Sequence, residues 1–314
     1  MQRRELIALL QRRGMDKAYG KHLSRASKVE LEKTYFALPK VPGHISFSSV
    51  SQWFRCGLQW HYRYQRKLVI PPGFALTTGA SFDRSANANY EEKIRTDQDE
   101  PESFLTDVFV EDFRARAAET DWTRGKPDGL SSKGFRSKNE NDGVDMVRVW
   151  RSELAPWTYP SKVQEKVEFQ RPGSQYKFLG FIDLVVDMER YKSKGSMLID
   201  NKTAGKMPAA GTAAVNDQLT AYAASYLELH KEIPMVGLDT AVRPTKKMGA
   251  RTNKQVAGRS PEQVRRWWAQ CDTMWDAINR GFLPGRMGST YGSKDMVCNE
   301  NACGYWSICH EEQG

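Results

Sequence analysis

Long hydrophobic runs are missing from this sequence. No stretch approaches the ~20 consecutive apolar residues that a membrane helix needs, and the apolar run Leu6 to Leu10 is too short for the core of a secretory signal. The sequence also lacks a G-x-x-x-x-G-K-[ST] phosphate-binding motif, so it predicts no helicase motor. We find no internal repeat. These absences predict a cytoplasmic protein with no membrane association.

Cysteine and histidine are both scarce, with five residues of each type. An odd number of cysteines argues against a framework made only of disulfides and favours metal binding or redox chemistry. His44, His61, His230 and His310 have no spacing typical of metal ligands, and we assign them no role.

The composition is that of a globular protein with a basic surface. The chain has 314 residues, 39% hydrophobic and 27% charged, with a formal net charge of +9. This length suffices for one large domain or two small ones and for a sizeable core. A basic surface suits a polyanionic partner, nucleic acid first and an acidic membrane second, although many ordinary proteins are basic too. Composition alone therefore favours a nucleic-acid partner without excluding an ordinary basic protein.

The pattern of apolar residues predicts an α/β fold in which a central mixed sheet is flanked by helices. Residues 1–43 form a basic N-terminal helical arm, and residues 44–314 form one domain with a helical insertion at about 97–160. Strands are predicted at 163–169, 176–187, 196–203 and 235–242, and the first three form an antiparallel meander. A long helix begins at a capping box, Ser260 with Gln263, and has Pro261 at its first position.

Three basic segments are candidates for contact with a polyanion. One is an aromatic-rich helix that begins at Val50 and ends in Arg63, Arg66 and Lys67. Its basic residues, which include Arg55, mix with aromatic side chains suited to base stacking: Trp60, Tyr62 and Tyr64. The others are a glycine- and serine-rich segment, 124–143, predicted to be a mobile loop, and a second loop, 243–254. The alternative is a solvated surface over core aromatics.

Charged residues interrupt two of the predicted strands. Asp183 lies in the strand predicted at 176–187. Asp200 and Lys202 lie two residues apart in the strand predicted at 196–203, so both side chains are on one face of that strand. Charges in buried strands are costly unless they are paired or bind a metal. A neighbouring strand can bring Asp183 to the same place, which gives a seat for Mg²⁺ or Mn²⁺ and an attacking water. A structural ion-pair cluster is the alternative.

The order of these motifs resembles the signature of RecB-family nucleases in the PD-(D/E)XK superfamily. The motifs are Gly180-x-x-Asp183, Asp200-x-Lys202-Thr203 and Gln218-x-x-x-Tyr222, preceded by Ser48-Ser49-x-x-x-Trp53-x-x-Cys56. Glu165 and Glu168 also lie in the strand that usually precedes the first motif. The resemblance spans roughly residues 46 to 309 and implies a restriction-endonuclease-like core.

The resemblance also implies roles for individual residues. Asp83 takes the place of a metal-binding histidine found in many members, with Glu91 as the alternative position. Mg²⁺ or Mn²⁺ would be held by Asp83, Asp183, Asp200 and the carbonyl of Asn201. Lys202 would orient or activate the water. Gln218 and Tyr222, four residues apart on one helix face, would contact DNA or the active-site lysine and carboxylates; the alternative for Tyr222 is a core aromatic.

The remaining cysteines form a second candidate site. Cys56, Cys298, Cys303 and Cys309 suit a [4Fe–4S] cluster or a structural Zn²⁺. One cysteine before the core and three after it resembles the iron–sulfur branch of the family, which includes CRISPR-associated RecB-like and AddB-type nucleases, although the first downstream gap is longer than usual. Cys271 falls on the apolar face of the capped helix and is predicted to be a buried structural thiol.

The resemblance implies a metal-dependent DNA exonuclease that acts from DNA ends, 5′→3′, on single-stranded or resected DNA. It fits a phage or bacterial enzyme of recombination, repair or replication, in the bacterial host cytoplasm if phage-encoded, with a recombination protein or helicase as partner. The alternative is a catalytically inactive or zinc-stapled DNA-binding recombination partner. The sequence makes no prediction of oligomeric state.

Overall fold

The computed structural model describes residues 1–12, 15–37, 42–283, 285 and 298–313. The strands are β1 (Lys17–Ala18), β2 (Lys21–His22), β3 (His44–Ile45), β4 (Pro160–Phe169), β5 (Lys177–Asp187), β6 (Ser196–Ala204), β7 (Met235–Val242) and β8 (Arg251–Ala257). The helices are α1 (Arg3–Arg12), α2 (Lys28–Ala37), α3 (Phe47–Arg55), α4 (Gly57–Trp60), α5 (Phe74–Thr96), α6 (Glu102–Ala117), α7 (Ser132–Glu153), α8 (Thr212–Val215), α9 (Asp217–His230), α10 (Pro261–Asn279) and α11 (Trp306–Gln313).

A mixed six-stranded sheet is the centre of the fold. The path β3-β5-β6-β7-β8 runs across it, and β4 pairs with β5. The predicted meander β4-β5-β6 is antiparallel as expected, while β7 pairs parallel with β6 and β8 returns antiparallel to β7. The predicted α/β fold class, a mixed sheet flanked by helices, is confirmed.

Strand β5 is the branch point of the sheet. One edge of β5 pairs with β4 along most of its length. The other edge pairs with β3 at residues 177–178 and with β6 only from Leu184 onward, where Leu184 faces Ile199. Between these two pairings, residues 179–183 diverge from β6. The resulting fork lies beside Asp183, Asp200 and Lys202.

Helices cover both faces of the sheet and form one hydrophobic core on each side. On one face α3, α9 and α10 pack through large side chains, among them Trp53, Tyr226, Trp268 and Trp275. On the other face α5, α6 and α7 pack through Phe82, Tyr90, Phe109 and Trp150. The sheet is therefore buried on both faces, which explains the apolar runs 197–199 of β6 and 236–238 of β7.

Helix α10 begins as its sequence predicts. The Ser260 hydroxyl accepts a hydrogen bond from the Gln263 amide, the Gln263 side chain accepts one from the Ser260 amide, and Pro261 occupies the first turn. Gly281 follows the helix with φ +75°, a left-handed conformation that favours glycine. Cys271 is fully buried on the apolar face of this helix, as predicted.

Two loop predictions are correct for residues 124–131 and 243–250 but wrong for the residues that follow. Residues 132–143 of the predicted mobile segment belong to α7, which Ser131 caps by accepting from the Gly134 amide. Gly143 packs so tightly on Phe109 that an added Cβ would lie 2.0 Å from its ring. Residues 251–254 of the second predicted loop belong to β8, where Lys254 faces Asp239. Both elements form with few apolar residues, because close packing on α6 stabilises α7 and pairing with β7 stabilises β8.

The aromatic-rich helix predicted from Val50 to Lys67 is interrupted. Cys56 has extended backbone angles between α3 and α4, and a π-helical turn follows at His61–Gln65. Ser46 caps α3 in a capping box with Ser49. In the part of the chain that the structure describes, no helix is both long and apolar enough to cross a membrane.

Candidate active site

Four elements meet at the fork in the sheet and carry the predicted catalytic residues. Asp83 lies on α5, Asp183 on β5, Asp200 and Lys202 on β6, and Gln218 and Tyr222 on α9. The alternation of side chains along β6 directs Asp200 and Lys202 to the same face. Because β5 and β6 separate before Leu184, the carboxylate of Asp183 reaches into the gap between them.

Asp200 and Lys202 form the most deeply buried ion pair of the site. Lys202 Nζ lies 2.9 Å from Asp200 Oδ1; the Asp200 side chain is 0% exposed and that of Lys202 is 42% exposed. Burial, opposed by Lys202 and assisted by Asp183, raises the pKa of Asp200 to about 7. Burial alone would lower the pKa of Lys202, but Asp200 and Asp183 raise it overall. The amine is therefore a stable cation with access to solvent.

Tyr222 joins the two strand carboxylates. Its hydroxyl lies 3.3 Å from Asp183 Oδ1 and 3.3 Å from Asp200 Oδ1, and it accepts a hydrogen bond of 2.8 Å from Gln218 Nε2. The ring is buried in the core at 7% exposure. Tyr222 is thus both a core aromatic and a contact of the site, and burial among two carboxylates raises its pKa well above 10. Gln218 is linked to the carboxylates through Tyr222.

Asn201 contributes its backbone to the site. Its amide donates to Asp183 Oδ2 at 3.3 Å, which links β6 to β5 across the fork. Its side chain points to the opposite face of the sheet, where both carboxamide atoms are buried without a hydrogen-bond partner. The role predicted for its carbonyl as a metal ligand stays a prediction.

Asp83 approaches the site from α5. Its Oδ2 accepts from Asn87 Nδ2 at 3.3 Å and from Gln164 Nε2 at 3.5 Å, and Gln164 Nε2 also lies 3.4 Å from Asp183 Oδ1. Burial and the neighbouring Asp183 carboxylate raise the pKa of Asp83 to about 6, against the opposing charge of Lys202. Glu91, the alternative position, is exposed to solvent.

Gln164 is a site residue that sequence reasoning missed. It lies within β4 at φ +49°, a left-handed conformation that is uncommon for a residue with a side chain. Its neighbours in the same strand point elsewhere: Glu165 pairs with Lys162 at 2.7 Å and Glu168 with Lys166 at 2.6 Å. No sequence pattern distinguishes Gln164 from these glutamates, because the irregular backbone decides which side chain reaches the carboxylates.

The donor chemistry of the site fits a hard divalent cation. Asp83 Oδ1 and Asp200 Oδ2 are both buried without a hydrogen-bond partner. An unpaired buried carboxylate oxygen is costly, and Mg²⁺ or Mn²⁺ would satisfy it. However, among the residues that the structure describes, no group of three or more His, Cys, Asp or Glu side chains is spaced to hold a metal ion. Gln164 and Tyr222 instead bridge the carboxylates.

The predicted cysteine site is only partly assembled. Cys303 and Cys309 lie in one apolar cluster with Tyr62 and Tyr305, so the C-terminal segment packs on the region that follows Cys56. Gln59 Nε2 lies 2.9 Å from Cys303 Sγ. Cys56 is buried and Cys298 is half-buried, and all four thiols are free of disulfides. Among the described residues, no three of these thiols are placed to hold one metal ion, so the ligand set stays a prediction.

Two of the aromatics predicted to stack on bases are core residues instead. Trp60 is 0% exposed and Tyr62 is 1% exposed. The basic residues beside them, Arg55 and Arg63, are exposed. Both rings point inward: Trp60 packs in the core beside the sheet, and Tyr62 packs against the C-terminal segment.

A cavity of about 400 Å³ opens beside Asp183 at the unpaired edge of β5. The N-terminal end of α3 and one face of α9 form its walls, and its lining includes Ser48, Phe181, Gln218 and Tyr222. Phe181 is half exposed. The site is therefore open to a ligand that is larger than a metal ion and its waters.

The fold and the site together define an α/β protein with a carboxylate–lysine centre at the fork of its sheet. The family model described as PD-(D/E)XK nuclease superfamily matches residues 44–310. Since this match covers most of the chain, the protein belongs to the PD-(D/E)XK nuclease superfamily.

Other comparisons add little. A solved structure described as "Putative exonuclease" from Eubacterium rectale is similar over 79% of this chain and 85% of that chain, with a TM-score of 0.48 and 10% sequence identity. That similarity is too low to carry an argument about function. No curated protein matches the chain.

Proposed function

We propose that this nuclease is a Mg²⁺- or Mn²⁺-dependent DNA exonuclease whose chemistry takes place at Asp83, Asp183, Asp200 and Lys202. The observation that carries the proposal is the convergence of three carboxylates and one ammonium from three elements, with two carboxylate oxygens buried and unpaired. A structural ion-pair cluster would instead be expected to satisfy its own buried oxygens.

Asp83, Asp183 and Asp200 would hold the metal, with the carbonyl of Asn201 as a further ligand. When bound, the metal supplies a water of lowered pKa and polarises the scissile phosphate. Lys202 provides positive charge next to Asp200, and its side chain is exposed enough to contact the scissile phosphate. There it orients the attacking water and stabilises the negative charge that develops during hydrolysis. Gln218 and Tyr222 position the carboxylates through the 2.8 Å and 3.3 Å hydrogen bonds.

Metal binding in this site would release protons near neutral pH. The pKa of Asp200 is about 7 and that of Asp83 about 6, so both carboxyls are partly protonated in the metal-free protein. A metal ligand must be deprotonated. Metal affinity, and with it activity at limiting metal, therefore rises from pH 5 to pH 8.

DNA as the substrate is supported by the net charge of +9 and by the cavity beside Asp183. Action from DNA ends, 5′→3′ polarity and membership of the RecB family rest on the resemblance of the motif order to that family. The same resemblance supports a role in recombination, repair or replication in a bacterium or phage, with a helicase or recombination protein as partner.

The four cysteines are proposed to bind a [4Fe–4S] cluster, with Zn²⁺ as the alternative. Support comes from the packing of Cys303 and Cys309 against the segment that follows Cys56. A cluster there would hold the C-terminal segment on the core. Anaerobically purified protein should be brown and absorb near about 400 nm, as thiolate-bound clusters do; a colourless, zinc-loaded protein would establish the alternative.

End-labelled DNA tests the proposed activity. Single- and double-stranded DNA, with each end blocked in turn, should be shortened in Mn²⁺ from a free 5′ end, and Asp200→Ala should abolish the product. Full activity of Asp200→Ala would refute the catalytic assignment. DNA binding without cleavage by the wild type would instead favour a catalytically inactive binding protein, and cleavage that ignores blocked ends would indicate an endonuclease.

A further inference from the structure

The N-terminal segment is a small folded unit with a core of its own. Helix α1, the β1-β2 hairpin and α2 enclose six apolar side chains, each at most 2% exposed: Leu6, Leu10, Ala18, Leu23, Ala26 and Leu31. Arg3 ties α1 to the residues before α2 by donating to the carbonyls of Ser24 and Ala26 at 2.5 and 3.1 Å. The family match begins only at residue 44, so the nuclease fold does not account for this unit.

The unit carries a large share of the positive charge. Residues 1–37 contain nine Lys or Arg and four Asp or Glu, a difference of +5 against +9 for the whole chain of 314 residues. About an eighth of the chain thus holds more than half of its net charge. Such a concentration of charge favours a polyanion as partner.

The β1-β2 hairpin presents an aromatic ring within this basic surface. Tyr19 and Gly20 form its two-residue turn with φ +51° and +75°. Lys17 and His22 face each other across the hairpin. The Tyr19 side chain is 65% exposed, and Lys17 is exposed beside it.

Tyrosine is an unexpected residue in this turn. Both central positions of such a turn need positive φ, for which Asn, Asp and Gly are preferred and a bulky side chain is strained. The exposed ring gains little from packing that could offset this strain. A strained, exposed aromatic next to a lysine therefore indicates a contact with a partner.

We propose that the N-terminal unit binds an unpaired DNA strand outside the nuclease site, with Tyr19 stacking on a base and Lys17 contacting a phosphate. Stacking of bases on aromatic rings and pairing of phosphates with lysines are the two interactions that single strands offer. Lys21 is less suited to this role because it pairs with Glu30 at 2.7 Å. The unit would raise the affinity for DNA without taking part in hydrolysis.

Two substitutions of Tyr19 test the proposal in the full-length protein. Tyr19→Asn removes the ring but suits the left-handed turn, whereas Tyr19→Phe keeps the ring. Binding of a fluorescent 30-nucleotide single strand is measured by anisotropy in EDTA, so that no cleavage is needed. We expect Tyr19→Phe to bind like wild type and Tyr19→Asn to bind about tenfold more weakly, with an unfolding temperature that is equal or higher.

Lys17→Ala tests the phosphate contact, with Lys194→Ala as the matched control. Lys194 is exposed in the turn between β5 and β6, outside the N-terminal unit. Lys17→Ala should reduce the slope of log Kd against log salt by about 0.7, and Lys194→Ala should leave it unchanged.

The proposal would be overturned if Tyr19→Asn bound the single strand as tightly as wild type does. It would also be overturned if Lys194→Ala reduced the salt slope as much as Lys17→Ala does. So would an effect of Tyr19→Asn confined to a 30-base-pair duplex. The result is independent of the proposed nuclease activity: weaker binding by Tyr19→Asn would support the N-terminal contact even if wild type cleaves nothing.

Discussion

Replacing Asp200 by Asn should stabilise the metal-free protein while abolishing cleavage. The carboxyl is fully buried, and its pKa rises from an ordinary 3.8 to about 7. This rise in pKa corresponds to about 4 kcal/mol of destabilisation at pH 8. The attraction of Lys202 is already contained in this rise, and the unpaired amide group of the Asn side chain offsets about 2 kcal/mol, so we expect a net gain of about 2 kcal/mol.

The pH dependence has a definite sign. Because the folded carboxyl binds its proton more tightly than the unfolded one, the stability of metal-free wild type falls as pH rises from about 4 to about 7 and then levels off. Asp200→Asn removes this contribution. Urea unfolding in EDTA should therefore show the variant about 2 kcal/mol more stable than wild type at pH 8, with a smaller or reversed difference at pH 4.

Asp239→Asn is the matched control. Asp239 is also a buried strand carboxylate with one unpaired oxygen, its pKa is raised by burial, and it pairs with Lys254 at 3.5 Å rather than with Lys202. Its substitution should stabilise the metal-free protein at pH 8 but leave cleavage intact. Equal loss of cleavage in both variants, or an Asp200→Asn protein less stable than wild type at pH 8, would refute the reasoning.

Three further outcomes follow from single contacts. Tyr222→Phe removes the hydroxyl between the strand carboxylates and should lower the cleavage rate about tenfold without loss of stability. Gly143→Ala should destabilise the protein by about 2 kcal/mol, measured by urea unfolding, because its Cβ would meet the Phe109 ring at 2.0 Å. Cys303→Ser should remove absorbance near about 400 nm and lower the unfolding temperature if the cysteines bind an iron–sulfur cluster; unchanged colour would exclude Cys303 as a ligand.

The parts of the fold that follow from local periodicity could be predicted from sequence. The alternation along β6 places Asp200 and Lys202 together, and the spacing of four residues on α9 places Gln218 beside Tyr222. The capping box of α10 defines its start. In each case the signal lies within a few residues of the side chain it positions.

The remaining features depend on packing between distant segments. Gln164 reaches Asp83 and Asp183 because of one left-handed residue in β4, which no composition rule indicates. Residues 132–143 look like a polar loop, but Gly143 lets α7 pack closely on Phe109. The inward position of Trp60 depends equally on neighbours that are far away in the sequence.

The rate of DNA hydrolysis by Asp183→Asn tests the central claim most directly. Asp183 contacts Tyr222, Asn201 and Gln164 at the fork of the sheet, so it links residues of α9, β6 and β4 in one site. With end-labelled DNA in Mg²⁺ or Mn²⁺, wild type should release product, EDTA should stop the reaction, and Asp183→Asn should be slower by more than about 100-fold. Hydrolysis by Asp183→Asn at the wild-type rate would contradict the assignment of the active site.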